Sequence, residues 1–232
     1  MIYITKYINK LISLLYPSRC PYCGKVISFD DSCCPKCRAT LPIILRIRTI
    51  DMFENKEVLC LSVFAYHSEA KYAIWEFKFR SKPYFSTALG AEMIKALESS
   101  EVFNRNYDII TAVPLSISRY IERGYNQSAL LAKEISQGLK IPYKRLIRKK
   151  RNNMIQHKLS REQRIQNVKG VYEAVNVNKI KGKTILICDD IVTTGSTLSE
   201  CAKVLYKAGA KEVFCVALAD ASKSLELIEE MC

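Results

Sequence analysis

Ile185-Leu186-Ile187-Cys188-Asp189-Asp190-Ile191-Val192-Thr193-Thr194-Gly195-Ser196-Thr197 carries the strongest structural signal in the chain. It runs as an apolar segment without alternation, two acids, a short apolar step, and a turn of Thr, Gly and Ser that opens a helix. A strand apolar on both faces is covered on both faces, the pattern of parallel sheets. In open α/β sheets, ligands sit at the carboxyl ends of the strands. A helix N-terminus there presents unpaired N–H groups and a positive dipole end, which suits a phosphate. Gly195 lets the backbone approach that phosphate, and Thr193, Thr194, Ser196 and Thr197 add hydroxyl donors. Asp189 and Asp190 would repel a phosphate unless they hold something hydroxylated or positive; ribose hydroxyls and Mg2+ fit. The plainer reading is an acidic strand end followed by an ordinary capped helix.

Working outward, Val58–Tyr66, Asp108–Pro114, Thr184–Cys188 and Glu212–Leu218 read as strands. Glu69–Arg80, Ser86–Ser99, Gln127–Leu139 and Leu198–Ala208 read as helices, with Tyr72, Trp75 and Phe79 on one face of the first. Strands alternating with helices predict an α/β domain with a mainly parallel sheet flanked by helices. Residues 43–57 show no clear period and read as a linker. The expected organisation is therefore 1–42 as an N-terminal helix and ribbon, 43–57 as linker, and 58–232 as the α/β domain. Met1–Tyr16 is interrupted by Lys6 and Lys10, too short and too charged to span a membrane, and reads as an amphipathic helix of a cytoplasmic protein.

The 232 residues carry 36 Lys+Arg against 23 Asp+Glu, a net charge of +13, with 10 Cys and 2 His. So few histidines argue against His-based catalysis or a His-rich metal site. The positive charge is concentrated: Lys140 to Lys169 holds eleven Lys/Arg and a single acid, Glu162. Such density points to an anionic partner, either a phosphorylated small molecule or nucleic acid. The alternative is a solvated basic surface. Tyr143 is the aromatic residue within this run, which makes poor aromatic interleaving for a base-stacking platform.

Cys20-Pro21-Tyr22-Cys23 and Cys34-Pro35-Lys36-Cys37 are two Cys-x2-Cys pairs separated by ten residues. Each reads as a knuckle, Gly24 supplying the positive φ that such turns favour. Together they predict four thiolates around one Zn2+, a closed and therefore structural site. Cys33 is left over. A disulfide framework is disfavoured because nothing points to secretion, and a thioredoxin-like redox motif because no βαβ pattern follows.

The thirteen residues 185–197 resemble the phosphoribosyl-pyrophosphate (PRPP) binding motif of type I phosphoribosyltransferases. Rival phosphate motifs fit badly: there is no G-x-G-x-x-G, and Gly182-Lys183-Thr184 precedes a strand where a P-loop would follow one. The resemblance implies that Asp189 and Asp190 bind the ribose hydroxyls and that the Thr193–Thr197 turn binds the 5′-phosphate. Val113-Pro114-Leu115-Ser116 resembles the pyrophosphate loop of these enzymes. The basic segment 151–170 then reads as a closing loop, with Lys158, Arg161 and Arg164 neutralising pyrophosphate; its plainer reading is a surface helix.

A four-cysteine ribbon, Phe77-Lys78-Phe79-Arg80, Val113-Pro114, Arg123-Gly124-Tyr125-Asn126-Gln127, Gln156…Leu159-Ser160…Arg164…Asn167 and Asp189–Thr197 occur here in that order. The combination resembles the ComF family of bacterial competence-associated proteins over nearly the whole chain. The resemblance implies a phosphoribosyltransferase-like domain behind a zinc ribbon, PRPP with Mg2+ as ligand, and a part in natural transformation with competence-machinery proteins as partners. Two functions follow as expectations: phosphoribosyl transfer to an unread acceptor, or a non-catalytic PRPP or nucleotide module that binds single-stranded DNA. No residue stands out as catalytic base.

Overall fold

The structure, a computed structural model, describes residues 18–28, 31–51, 57–150 and 168–222. In chain order the elements are α1 (Pro35–Thr40), β1 (Ile43–Asp51), β2 (Glu57–Ala65), α2 (Ser68–Phe79), α3 (Phe85–Ser99), β3 (Ile109–Ala112), α4 (Ile117–Arg123), α5 (Gln127–Gly138), β4 (Ile147–Lys149), β5 (Tyr172–Ala174), β6 (Thr184–Val192), α6 (Ser196–Lys207) and β7 (Glu212–Asp220). Five strands form one sheet in the order β1-β2-β7-β6-β3. The β2–β7, β7–β6 and β6–β3 pairs are parallel, and β1 is an antiparallel edge.

The parallel core arises as the unalternating strands require. On β6, Leu186 and Cys188 pack on one face with Phe77, Leu89, Leu131 and Ile135; Ile185 and Ile187 pack on the other with Leu198, Cys201 and Leu205. Cys60, Cys188, Cys201 and Cys215 are fully buried and serve as small apolar fillers. The short antiparallel pair β4–β5 covers the α6 side of the sheet.

One sequence expectation changes. The segment expected as a linker, 43–57, contains strand β1 from Ile43 to Asp51, paired with β2. Its amphipathicity is inverted: Ile43, Leu45 and Ile47 face solvent while Arg46, Arg48 and Ile50 point inward, so its apolar row marks the outer face. The reason is Asp220 at the end of β7, which is fully buried and draws both arginines in, each at 3.8 Å. On α2 the residues facing the core are Ala70, Ala73, Ile74 and Phe77, whereas Tyr72, Trp75 and Phe79 form an exposed row. The guanidinium of Arg80 lies over Trp75 and that of Arg123 over Phe79, at 5.0 and 4.9 Å.

The ribbon is part of the same body. Cys20, Tyr22, Cys33, Cys34 and Cys37 belong to the apolar cluster that α3 and α5 build. Tyr22 meets Phe64 edge-on at 6.1 Å, Arg38 pairs with Glu92 at 3.0 Å, and Thr40 donates to Glu69 at 2.9 Å. Among the described residues no helix is long and apolar enough to cross a membrane. The expected helix over Met1–Tyr16 lies outside the described residues.

Candidate functional site

The carboxyl ends of β3 and β6 open into a cleft of about 180 Å3. Asp189 and Asp190 enter from β6, Thr193 and Thr197 from the turn after it, and Val113 to Ser116 from the loop after β3. Lys78, Arg119, Arg123 and Lys149 line the same cleft. Residues from four separate segments therefore meet where an open α/β sheet binds its ligand.

The two acids differ in setting. Asp189 is buried; its Oδ1 accepts from Ser128 Oγ and from the Asp190 backbone N–H, each at 2.9 Å. Burial, and then the neighbouring Asp190 charge, push its carboxyl up to about 7. Asp190 is partly exposed, and its Oδ1 is 2.9 Å from Lys78 Nζ. One carboxylate is thus a buried anchor, and the other faces the cleft with a lysine already on it.

The turn closes on itself before α6. Gly195 has φ +81°, and Thr194 and Ser196 exchange a hydroxyl hydrogen bond at 2.9 Å. Ser199 N–H donates to the Gly195 carbonyl at 2.8 Å, the first turn of α6. Of the five expected turn residues, Thr193 and Thr197 reach the cleft wall, while Thr194, Gly195 and Ser196 shape the backbone between them.

On the opposite wall, Ser116 caps α4 by accepting from the Arg119 N–H at 3.4 Å. Asn126 both caps α5, accepting from Ala129 N–H at 3.1 Å, and donates through Nδ2 to the Val113 carbonyl at 3.0 Å. The Arg123–Gln127 block therefore does more than start a helix: it clamps the Val113–Ser116 loop. Tyr125 donates to the Phe77 carbonyl, tying that block to α2. Burial, with the Arg119 charge beside it, pushes the Lys149 ammonium down to about 8.

Lys158, Arg161 and Arg164 lie outside the described residues. The strands flanking that segment end at the site: Lys149 on β4 and Tyr172 on β5 both line the cleft. Sequence reasoning assigned no site role to Lys78, Arg119, Arg123 or Lys149. Lys78 and Arg123 did stand inside the short blocks Phe77–Arg80 and Arg123–Gln127, and that was the available signal.

In the ribbon, the Sγ atoms of Cys20, Cys23, Cys34 and Cys37 lie within 4.8 Å of one another, as the spacing predicts; Cys33 stands outside this group. Cys23 and Cys34 Sγ are 3.7 Å apart. That is far beyond a disulfide bond of about 2.05 Å and close to the edge of a tetrahedron with metal–sulfur bonds of ~2.3 Å. Cys34 N–H points at Cys20 Sγ and Cys37 N–H at Cys34 Sγ, 3.5 and 3.4 Å away, and Gly24 takes φ +74°. Amides aimed at sulfur and four thiolates with no open position fit a structural zinc.

Two known domains match the chain: the double zinc ribbon domain over residues 11–48 and the phosphoribosyl transferase domain over residues 125–232. Competence protein ComFC of Bacillus subtilis is 30% identical over 198 residues, which cover 82% of this chain and 72% of that protein. The chain belongs to the ComF family. Competence protein F of Haemophilus influenzae is 32% identical over 144 residues, covering 60% of this chain and 63% of that protein's length. The DNA utilization protein YhgH of Escherichia coli is 28% identical over 202 residues, 84% of this chain and 86% of that one. Among solved structures, an allosteric regulatory enzyme of purine biosynthesis aligns with TM-score 0.42 and 25% identity, over 62% of this chain and 30% of that one. In this ComF chain the transferase match begins at residue 125, so Lys78 and the Val113–Ser116 loop lie upstream of it. The ribbon match ends at residue 48, inside β1.

Proposed function

We propose that this chain binds PRPP in the cleft at the ends of β3 and β6 and transfers its phosphoribosyl group to an acceptor, releasing pyrophosphate. The observation that carries the reading is the meeting, in one cleft, of the acid pair, the Thr193–Thr197 turn, the Val113–Ser116 loop and four cations. In this reading Asp190, anchored through Asp189, accepts from the ribose hydroxyls. The turn donates N–H and hydroxyl groups to the 5′-phosphate. Ser116, Arg119, Arg123 and Lys149 receive the pyrophosphate, with Lys158, Arg161 and Arg164 assigned to the same task. The bond from the anomeric carbon to pyrophosphate breaks, its electron pair leaving with the pyrophosphate, and the acceptor's lone pair forms the new bond. Fixed cations at the leaving group stabilise the charge that develops there.

The donor set fits Mg2+ entering with PRPP: of the two carboxylates that line the cleft, Asp189 is buried and already hydrogen-bonded while Asp190 is the more open one, and this ion keeps most of its waters and binds through substrate phosphates. When bound it screens the pyrophosphate charge. We assign the activity to the handling of incoming DNA in the cytoplasm, beside other competence proteins; the similarity to a competence protein and a DNA utilization protein supports the link to DNA. The test is pyrophosphate release from PRPP and Mg2+ across nitrogenous acceptors, with calorimetry of PRPP on Asp189→Asn/Asp190→Asn. Binding that is lost in the double variant is the expected result; unchanged PRPP affinity would remove the site assignment.

A second reading, single-stranded DNA binding, rests on a neighbouring groove of about 690 Å3. It shares Pro114, Leu115, Ser116 and Lys149 with the cleft, and carries Tyr120, Tyr125 and Tyr143 among Lys133, Arg145, Arg148 and Lys150. Tyrosines interleaved with cations suit stacked bases on a tracked backbone, stacking contributing about 1–3 kcal/mol per base. Oligothymidylate binding that weakens steeply with salt and drops in Tyr120→Ala supports this reading; a flat salt response refutes it.

A further inference from the structure

Strand β1 ends directly beneath the turn assigned to the 5′-phosphate. Arg48 Nη2 donates to the Thr193 carbonyl at 2.7 Å. Its Nη1 stands 3.8 Å from Asp220 Oδ1, and Arg46 Nη1 stands 3.8 Å from Asp220 Oδ2. Two residues on, Ile50 packs under Gly195 so closely that a Cβ there would meet its Cγ2 at 2.8 Å. Then the Asp51 carbonyl accepts from Ser199 Oγ at 2.9 Å, in the first turn of α6. Three contacts along one strand, from Arg48, Ile50 and Asp51, thus grip the turn at its entry, its apex and its exit.

This grip has an electrostatic logic. A carbonyl at a phosphate turn that pointed toward the ligand would repel it. Here the Thr193 carbonyl accepts one hydrogen bond from a guanidinium on the side of β1, whose other terminal nitrogen faces Asp220, so the planar group spans both partners where a single ammonium would not. Asp220 holds the guanidinium in place and neutralises it, so the arginine acts on the backbone and not as a free charge. Arg48 is not among the residues that line the cleft.

We infer that Arg48, held by Asp220, is a positioning residue that sets the Thr193–Thr197 turn for a sugar 5′-phosphate. The inference rests on the phosphoribosyl reading above and deepens it by assigning the turn's geometry to β1. It separates the two halves of PRPP: the turn serves the 5′-phosphate, while the Val113–Ser116 loop, which β1 does not touch in any of these contacts, serves the pyrophosphate.

The test compares wild type, Arg48→Lys, Arg48→Met and Arg48→Met/Asp220→Asn by calorimetry with ribose 5-phosphate and, separately, with Mg-pyrophosphate. The double variant leaves no buried carboxylate facing a missing guanidinium, which protects the fold. Expected is a loss of tenfold or more in ribose 5-phosphate affinity in Arg48→Met and in the double variant. Pyrophosphate affinity stays within twofold, and Arg48→Lys recovers part of the loss. A merely structural role would weaken both ligands together, and that result overturns the inference. Unchanged ribose 5-phosphate affinity in the folded double variant overturns it as well. If the wild type itself binds neither ligand, the phosphoribosyl reading falls and the brace falls with it, an outcome distinct from the other two.

Discussion

Lys78 Nζ lies 2.9 Å from Asp190 Oδ1, joining the last turn of α2 to the end of β6 across the mouth of the cleft, with both side chains largely buried. The lysine charge also acts on Asp189, holding its carboxyl lower than burial alone would leave it. Substituting Lys78→Met leaves two adjacent carboxylates without their cation. The expected cost is about 2 kcal/mol, the worth of a hydrogen bond to a charged group, or roughly 4–8 °C in Tm for a chain of this size. The deficit is largest at pH 8 and shrinks toward pH 4, as Asp189 takes up its proton. Melting curves across that range measure it, and a pH-independent deficit contradicts it.

Asp189 itself makes stability depend on pH. Its folded-state carboxyl is raised to about 7, well above an unfolded aspartate near 3.9. The folded chain therefore binds more protons than the unfolded one between these values, and stability falls as pH rises from about 4 to about 7. Asp189→Asn removes this contribution, so the variant should gain on wild type as pH rises through that window. Chemical denaturation at pH 4.5, 6 and 7.5 checks the sign.

Gly195 is constrained twice, by φ +81° and by the Ile50 side chain below it. Gly195→Ala costs about 1–2 kcal/mol for the left-handed backbone alone, and the contact with Ile50 displaces the turn further. PRPP affinity should fall at least tenfold. Adding Ile50→Ala restores space but not the backbone preference, so titration calorimetry should find a partial recovery in the double variant.

For the ribbon, Cys23→Ser should abolish zinc retention, because Cys23 is one of the four converging thiols. Cys33→Ser should retain one zinc per chain, since Cys33, although buried, stands apart from that group. Native mass spectrometry counts the metal directly. Chelation should lower Tm in wild type and Cys33→Ser alike.

How much of this the sequence disclosed depended on whether local pattern and tertiary role agreed. In β6, Leu186 and Ile187 are apolar because both faces are covered, so the strand and the acids at its end could be read directly. The cysteine pairs were legible because metal geometry requires short spacings. β1 was hidden because Asp220, remote in sequence, pulls Arg46 and Arg48 inward and turns Ile43, Leu45 and Ile47 out. β4 and β5 have three residues each, too few to display a period. Lys78 was missed as a site residue because its partner is far along the chain, and a lone lysine on a helix reads as solvated.

The inward arginines of β1 also decide where the molecule can be cut. A fragment starting at residue 58 would look like the transferase domain freed of its ribbon. It would lose the cations that compensate Asp220, along with the tyrosine that covers Phe64. Stripping a buried carboxylate of its partners costs about 3–5 kcal/mol, a large part of the stability of a typical domain. Any truncation meant to separate zinc from PRPP chemistry must therefore keep residues 43–51. A chain shortened at 58 that fails to bind PRPP would be reporting the missing strand, whatever the ribbon itself does.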